Sequence, residues 1–429
     1  MNISQIYRYF RQSTGVCTDT RRIKQGNIFV ALKGDNFNGN HFVKYAFESG
    51  ASFVIVDEKQ ADINEQCIYV EDGLKTLQEL ANYHRNRFTL PVIAITGSNG
   101  KTTTKELMIA VLKKKYTVHH TEGNLNNHIG VPLTLLNIQT KHDISIVEMG
   151  ANHQKEIGAL CEIAEPDYGL ITNIGKAHLE GFGSFEGVIK GKTELYEYIK
   201  KNGRLVFVNE QDDILIDKSN DIPRMLYGPW KNEVSLIRES PELHIKWGND
   251  KIHTQLPGKY NFQNIQAAIA IGAYFRVDKQ SIIQAIEEYC PDNSRSQVIK
   301  TQSNTIILDS YNANPTSMIA AIDNLRYYQS KHTSKVIILG DMLELGEQSI
   351  AFHKEILELI EKYEFDNVLL VGPQFQKAGN NLNTSFHFFE DSVQAAKYIE
   401  KQQPKDAVIL IKGSRGIKME KILKVLPEQ

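Results

Sequence analysis

Cysteine is scarce and scattered in this chain. Cys17, Cys67, Cys161 and Cys290 stand far apart with no Cys-x-x-Cys pair, which argues against a disulfide framework or a cysteine zinc site and for small apolar residues. Long apolar runs are also lacking. No stretch approaches the ~18 apolar residues of a membrane span, and Met1 to Val16 has arginines and polar residues without the apolar centre of a secretory signal. A basic surplus is missing too, since 49 Lys and Arg against 51 Asp and Glu leave a net charge of −2. Broad nucleic-acid binding, which needs cations to neutralise many phosphates, is therefore not expected. Any anionic substrate must be held by local groups. There is no internal repeat and no low-complexity tract. The expectation is a reduced, cytoplasmic enzyme with no membrane span and no nucleic-acid partner.

What is present is ordinary globular material, 41% hydrophobic and 23% charged over 429 residues. At ~150 residues per domain the length suggests about three domains. The pattern places them at 1–90, 91–295 and 296–429. The first has short strands at Ile28–Leu32, Phe53–Val56 and Ile68–Val70, with helical patterns near Phe42–Glu48 and Leu74–Arg87. The second alternates strands (Pro91–Ile95, Ile144–Glu148, Leu170–Ile174, Leu205–Val208) with helices (His153–Ala164, Phe185–Ile199). Shorter β-like pieces follow over 210–257, then helices at Asn261–Phe275 and Gln280–Tyr289. The third repeats the alternation, with strands at Thr305–Leu308, Val336–Leu339, Val368–Val371 and Ala407–Ile411. Its helices are expected near Ser317–Tyr328, Ile350–Lys362, Val393–Gln402 and Ile417–Leu426. Alternation of this kind predicts an α/β fold with mostly parallel sheets covered on both faces.

Residues 91–106 carry the strongest functional signal. A buried strand meets a loop of Gly97, Ser98, Asn99 and Gly100, and Lys101, Thr102 and Thr103 open a helix. Backbone N–H groups and the positive helix end form an anion trap, and glycine lets the backbone approach a phosphate closely. Lys101 supplies a charge for the outer phosphates and Thr102 a hydroxyl for Mg²⁺. Only two residues separate the glycines, where the usual loop has four before Gly-Lys. A bare Gly-Lys-Thr is often accidental, but the flanking strand and helix point to ATP or GTP.

Three further residues are candidates. Glu148 ends an apolar strand, where ligands of such sheets bind; it is either a metal ligand or a solvated or capping carboxylate. His178 follows another strand among glycines, and is either a ligand or a packing or surface histidine. Lys192 falls within the apolar stripe Val188, Ile189, Leu195, Tyr196 and Ile199, whereas Lys190 falls on the polar face. A buried lysine has its pKa lowered by desolvation, and a neutral amine can react with CO₂ to form a carbamate. The bland reading is a snorkelling lysine whose stem covers apolar surface.

Together these residues resemble a known family. Thr96-Gly-Ser-Asn-Gly-Lys-Thr102, Gly123-Asn-Leu-Asn-Asn-His-Ile-Gly-Val-Pro132, Glu148-Met-Gly, His178-Leu-Glu-Gly-Phe-Gly and Lys192 follow in the order found in the Mur ligases. Asp309-Ser-Tyr-Asn-Ala-Asn-Pro315, Gly340-Asp-Met-Leu-Glu-Leu-Gly346 and Lys412-Gly-Ser-Arg415 resemble the branch that adds D-alanyl-D-alanine to UDP-N-acetylmuramoyl-tripeptide. Thr18, Asp19, Thr20 and Arg21, with Phe29-Val-Ala-Leu-Lys-Gly34, resemble the UDP-binding front domain. The Asp-Asn-Pro-Arg of diaminopimelate-adding ligases is missing. Tyr260 stands where the family commonly has histidine, and Ser294 where glycine commonly precedes Arg295.

The resemblance implies an ADP-forming ligase of peptidoglycan precursor synthesis, working through an acyl phosphate. It implies ATP phosphates on 97–103, with Asn264, Arg295 and Asp309 on the nucleotide. One Mg²⁺ would sit on Thr102 and Glu148, and a second on His178 and a carbamylated Lys192. Asn124, Asn127, Asn312, Asn314 and Arg415 would contact the substrates, although Arg415 also reads as an ordinary surface arginine. Nothing demands an oligomer, and a monomer is the expectation. Three rivals remain at this stage. A ligase adding the third amino acid shares the front domain but usually carries Asp-Asn-Pro-Arg in its last. A folate polyglutamate ligase shares the central and last domains but lacks the front one. A non-catalytic nucleotide switch would need neither a third domain nor a buried lysine.

Overall fold

The computed structural model describes residues 1–426 apart from 230, 232, 293 and 381–384. Its architecture is α/β throughout. The front sheet has four parallel strands in the order Val16–Cys17, Ile28–Val30, Phe53–Val56, Cys67–Tyr69. Helix Gly73–Arg85 docks this unit onto the central one. His84 bonds through Nε2 to Ile138 O at 2.9 Å, and Arg85 donates to Ala164 O and pairs with Asp167.

The central sheet is six-stranded and parallel, in the order Arg224–Tyr227, Leu205–Asn209, Tyr168–Ile171, Val92–Thr96, Ile144–Glu148, Val118–His120. Its middle strand, Val92–Thr96, is buried at every position, which explains the uninterrupted apolar run. Full burial of each Val or Ile there contributes about 1.5–3 kcal/mol. Helices Lys101–Leu112 and Tyr260–Tyr274 pack on one face, and Phe185–Asn202 covers the other. A small antiparallel sheet of Val234–Arg238, His244–Trp247 and Asp250–His253 lies beside them.

The last sheet runs Gln297–Lys300, Asn304–Asp309, Ala407–Lys412, Ser334–Gly340, Asn367–Val371, His387–Phe389. It is parallel apart from the antiparallel edge strand Gln297–Lys300. In both large sheets candidate residues stand at or just past the carboxyl ends of strands, Gly97 to Lys101 and Glu148 in the central one and Asp309 and Lys412 in the last.

Several expected bounds shift. The strand expected at Leu170–Ile174 is Tyr168–Ile171, and the helix expected from His153 begins at Glu156. The helix expected over Ile417–Leu426 is broken. A single 3₁₀ turn, Arg415–Ile417, is followed by Lys418 at φ 59°, and only Glu420–Leu423 is helical. A left-handed residue cannot continue a right-handed helix. Arg224–Tyr227, within the stretch read as shorter β-like pieces, is a strand that extends the central sheet.

Candidate active site

The phosphate loop follows strand Val92–Thr96, and Gly100 caps helix Lys101–Leu112 from a left-handed conformation. Gly97 has φ 138° and Gly100 φ 78°; a Cβ at these positions would stand 2.0 Å from Thr172 Oγ1 and 2.5 Å from Asn264 Oδ1. Both conformation and space therefore require glycine. The segment after strand Tyr168–Ile171 braces the loop. Asn173 Oδ1 accepts Asn99 N–H at 3.0 Å, Thr172 Oγ1 donates to Asn99 O at 2.6 Å, and Ser98 Oγ accepts Gly175 N–H at 2.9 Å. Asn99 Nδ2 is buried without a partner among the described residues, so a donor is left for a ligand.

Lys101 Nζ donates to Gly97 O at 2.7 Å and Ser98 O at 3.3 Å. Desolvation in the cleft pulls its pKa down to about 8, against the pull of Glu148. Thr102 Oγ1 lies 3.2 and 3.0 Å from the two oxygens of Glu148, which also accepts Asn126 Nδ2 at 2.7 Å. Burial pushes the Glu148 pKa up, but Lys105, Lys101, Arg295 and the Asn126 bond outweigh it and hold it below the ordinary value. Hydroxyl and carboxylate oxygens side by side suit a hard cation such as Mg²⁺ that completes its shell with phosphate and water. Among the described residues no group of three or more His, Cys, Asp and Glu converges to hold a metal alone.

Lys192 is 1% exposed and Lys190 is on the exposed side of the same helix. The Lys192 amine donates to Ala151 O at 3.1 Å and lies 5.2 Å from the Phe182 ring centroid. Burial, with the charge of Lys101 adding to it, holds its pKa well below the usual lysine value despite Glu156 and Glu194. Those carboxylates are already engaged by backbone N–H groups, Glu156 with Asn152 and His153, Glu194 with Gly158. An amine that is cheaper to bury neutral than charged fits carbamate formation.

The opposite wall comes from the last sheet. Asp309 ends strand Asn304–Asp309, and Lys412, 1% exposed at the end of Ala407–Lys412, donates to it at 2.6 Å and to Asn312 O at 3.1 Å. The Arg295 guanidinium stacks 3.6 Å over the Tyr311 ring. Tyr260 shares a hydrogen bond with Ser296 Oγ at 2.9 Å. Ser294 has φ 58°, so the position commonly held by glycine has a glycine-like backbone here. Asn314 caps helix Pro315–Tyr327 and donates to Asn99 Oδ1 at 2.7 Å, joining the two walls.

One cavity of about 1140 Å³ collects most of these groups. Ser98, Asn99, Gly100, Lys101, Thr103, Asn127, Glu148, His178 and Asn264 line it from the central unit. Asp309, Tyr311, Asn312, Asn314 and Lys412 line it from the last, and Arg295 lies with them at the junction of the two. Gly97, Thr102 and Lys192 are not on the lining, nor are Asn124 and Arg415. Asn127 Oδ1 is engaged with the N–H groups of Ile129 and Gly130, while its neighbour Asn126 holds Glu148. Arg415 is exposed, 5.9 Å from the Tyr311 ring centroid. Thr18, Asp19, Thr20 and Arg21 also lie off the cavity. They follow edge strand Val16–Cys17, where Asp19 caps the 3₁₀ turn Thr20–Arg22 and pairs with Arg21 at 2.7 Å.

Four residues to which the sequence assigns no role of their own also stand at the site: Lys105, and Asn126, Lys412 and Glu344 from within the family motifs. Lys105, 2% exposed, donates to Gly123 O at 3.0 Å and pairs with Glu148 at 3.3 Å; a lysine buried beside the loop was the available signal. Glu344 accepts from His178 Nδ1 across the two walls. No local pattern joins residues so far apart in sequence.

Family models match along the chain: "Mur ligase family, catalytic domain" over 12–85, "Mur ligase middle domain" over 95–272 and "Mur ligase, glutamate ligase domain" over 294–415. The UDP-N-acetylmuramoyl-tripeptide--D-alanyl-D-alanine ligase of Bacillus subtilis is 38% identical, covering 96% of this chain and 93% of the relative. That of Escherichia coli is 33% identical, with the same coverage on both sides. A crystal structure of MurF from Acinetobacter baumannii superposes with a TM-score of 0.87 at 30% identity, covering 99% of this chain and 98% of that one. MurF ligase from Thermotoga maritima in complex with ADP gives 0.84 at 27% identity, covering 97% of each.

Proposed function

This chain belongs to the Mur ligase family, and we propose that its cavity joins D-alanyl-D-alanine to the peptide carboxylate of UDP-N-acetylmuramoyl-tripeptide at the expense of ATP. The observation that carries the reading is the cavity itself. A phosphate loop on one wall faces Arg295, Asp309 and Lys412 on the other, in a chain similar over its whole length to ligases of that name. The enzyme is an ATP-dependent, ADP-forming ligase of peptidoglycan precursor synthesis.

The reaction needs no protein nucleophile. The tripeptide carboxylate attacks the γ-phosphorus, ADP leaves, and an acyl phosphate forms. The dipeptide amine then attacks the acyl carbon, loses a proton, and expels phosphate as the amide bond forms. Anionic groups must be brought together, so catalysis rests on positioning and charge neutralisation. The N–H groups of the 97–103 loop and the free amide of Asn99 hold phosphate oxygens. Lys101 leaves its loop carbonyls for the outer phosphates. Asn264, Arg295 and Asp309 hold the rest of the nucleotide, with Lys412 fixing Asp309 and Tyr311 supporting Arg295.

Thr102 and Glu148 would hold one Mg²⁺, and His178 with a carbamylated Lys192 a second; bound there, such ions neutralise charge on phosphate and acyl phosphate oxygens. Thr18, Asp19, Thr20 and Arg21 hold the uridine end of the substrate. Asn124, Asn127, Asn312, Asn314 and Arg415 contact the peptide partners, Arg415 gripping the dipeptide carboxylate. All the cavity walls come from one chain, so a monomer suffices. No helix among the described residues is long and apolar enough to cross a membrane. Nucleotide substrates of this kind place the work in the cytoplasm, where it would serve cell-wall growth, cell shape and division.

The test is phosphate release with ATP, Mg²⁺ and the UDP-linked tripeptide, with lysine- and diaminopimelate-containing forms in turn. Release should require D-alanyl-D-alanine. Full-rate release with free L-lysine or diaminopimelate in its place would overturn the assignment.

A further inference from the structure

His178 and Glu344 come from different walls of the cavity, and each has a left-handed backbone, at φ 54° and 63°. Non-glycine residues adopt that region at a cost, and keep it where surroundings impose it. Here the surroundings are mutual. The His178 ring bonds through Nδ1 to the Glu344 carboxylate, and Glu180 N–H donates to Glu344 O at 3.2 Å. Leu179 packs into the apolar core of the last unit rather than only its own.

The segment carrying Glu344 is itself held firmly. Met342 N–H donates to Nε2 of the wholly buried His353 at 3.1 Å, and Leu343 N–H to Ser414 Oγ at 2.9 Å. The Glu344 side chain is half-exposed.

A carboxylate can only accept, so the His178 Nδ1 facing it carries a proton, and in the neutral imidazole this makes Nε2 the nitrogen with the lone pair. We propose that Glu344 is a positioning residue for the ligation: it fixes the tautomer and ring orientation of His178, and does so only while the last unit is seated on the central one. The ligand character of His178 is thereby coupled to closure of the wall that brings Arg295, Asp309 and Lys412. The His178 bond to a carboxylate has the form by which carboxylates orient metal-binding histidines elsewhere. This inference rests on the ligase reading for its kinetic part, but the contact itself does not.

The test compares the wild type with Glu344→Gln and Glu344→Asp. Ring ¹⁵N resonances are recorded on ¹⁵N-histidine-labelled, metal- and nucleotide-free full-length protein, with His178→Asn identifying the signal. Recorded at alkaline pH, where the ring is neutral, the wild type should show Nδ1 protonated and Nε2 unprotonated. Glu344→Gln should shift that pair toward a tautomer mixture and lower kcat about 10–100-fold, the range typical for such orienting partners. The KM for the UDP-linked tripeptide should be unchanged, and Glu344→Asp should restore part of both signals. Ring shifts identical in wild type and Glu344→Gln overturn the contact; shifted rings with unchanged kcat overturn its role in the reaction. A wild-type protein that shows the contact but does not ligate D-alanyl-D-alanine would refute the ligase reading and leave the contact standing.

Discussion

Lys105 and Glu148 form an ion pair at 3.3 Å with side chains 2% and 1% exposed, next to the hydroxyl of Thr102. Removing one partner of such a pair strands the other charge, at a cost of about 3–5 kcal/mol. Lys105→Met should therefore lower the unfolding free energy by about 3 kcal/mol in urea, and adding Glu148→Gln should recover part of the loss. A change below about 1 kcal/mol in Lys105→Met would mean that the pair does not hold the site's floor.

The lowered pKa of Lys101, about 8, makes nucleotide binding a proton-linked event. Phosphate raises the pKa of an adjacent amine, so protons are taken up when ATP binds. Uptake should be about half a proton at pH 8 and close to one at pH 9. Calorimetric titrations in buffers of different ionisation enthalpy measure it directly. Lys101→Arg, always charged, should abolish the uptake. Equal uptake in both proteins would assign it elsewhere.

Lys192 and Lys190 sit two positions apart with opposite burial, and that difference separates their roles. Lys192→Ala should lose most activity and regain some with acetate, a small carboxylate standing in for a carbamate. Lys190→Ala should be nearly silent. Protein equilibrated with ¹³CO₂ should show a carbamate carbon signal that Lys192→Arg lacks. Normal turnover in Lys192→Ala, or damage confined to Lys190→Ala, would refute the assignment.

Away from the cavity, burial holds His119 neutral, with its pKa drawn down from 6.5 to about 3 and its Nδ1 bonded to Ser145 Oγ at 2.9 Å. The unfolded chain binds a proton there below pH 6.5 and the folded one only near 3. This contribution is complete above about 6.5 and is lost as pH falls toward 3, at up to ~1.4 kcal/mol per pH unit. Urea unfolding of His119→Gln across that window should give a correspondingly flatter acid limb. A limb as steep as the wild type's would place the titration on other groups.

The sequence made some of this legible and hid the rest for physical reasons. Strand Val92–Thr96 and helix Lys101–Leu112 were readable because full burial and glycine geometry leave local marks. Lys192 was readable because a helical stripe is periodic. The broken helix after Arg415 was not, because its residues keep a helical apolar spacing while Lys418 turns left-handed. Partnerships such as Asn314 with Asn99, Lys412 with Asp309 and Glu344 with His178 join residues from 103 to 215 positions apart. Pairing of neighbouring strands in the last sheet joins Lys412 to Asp309, and folding of the two walls against each other joins the other two pairs. Asn126 was passed over for Asn124 and Asn127 because nothing in a row of asparagines tells which one turns toward Glu148.

The most direct measurement uses UDP-N-acetylmuramoyl-tripeptide labelled with ¹⁸O in its terminal peptide carboxylate, incubated with the protein, ATP, Mg²⁺ and D-alanyl-D-alanine. Mass analysis should show the tripeptide joined to the dipeptide with loss of water, ADP in equal amount, and one ¹⁸O in each phosphate released. Unlabelled phosphate, or ADP formed without the joined product, would contradict an acyl phosphate ligation in this cavity.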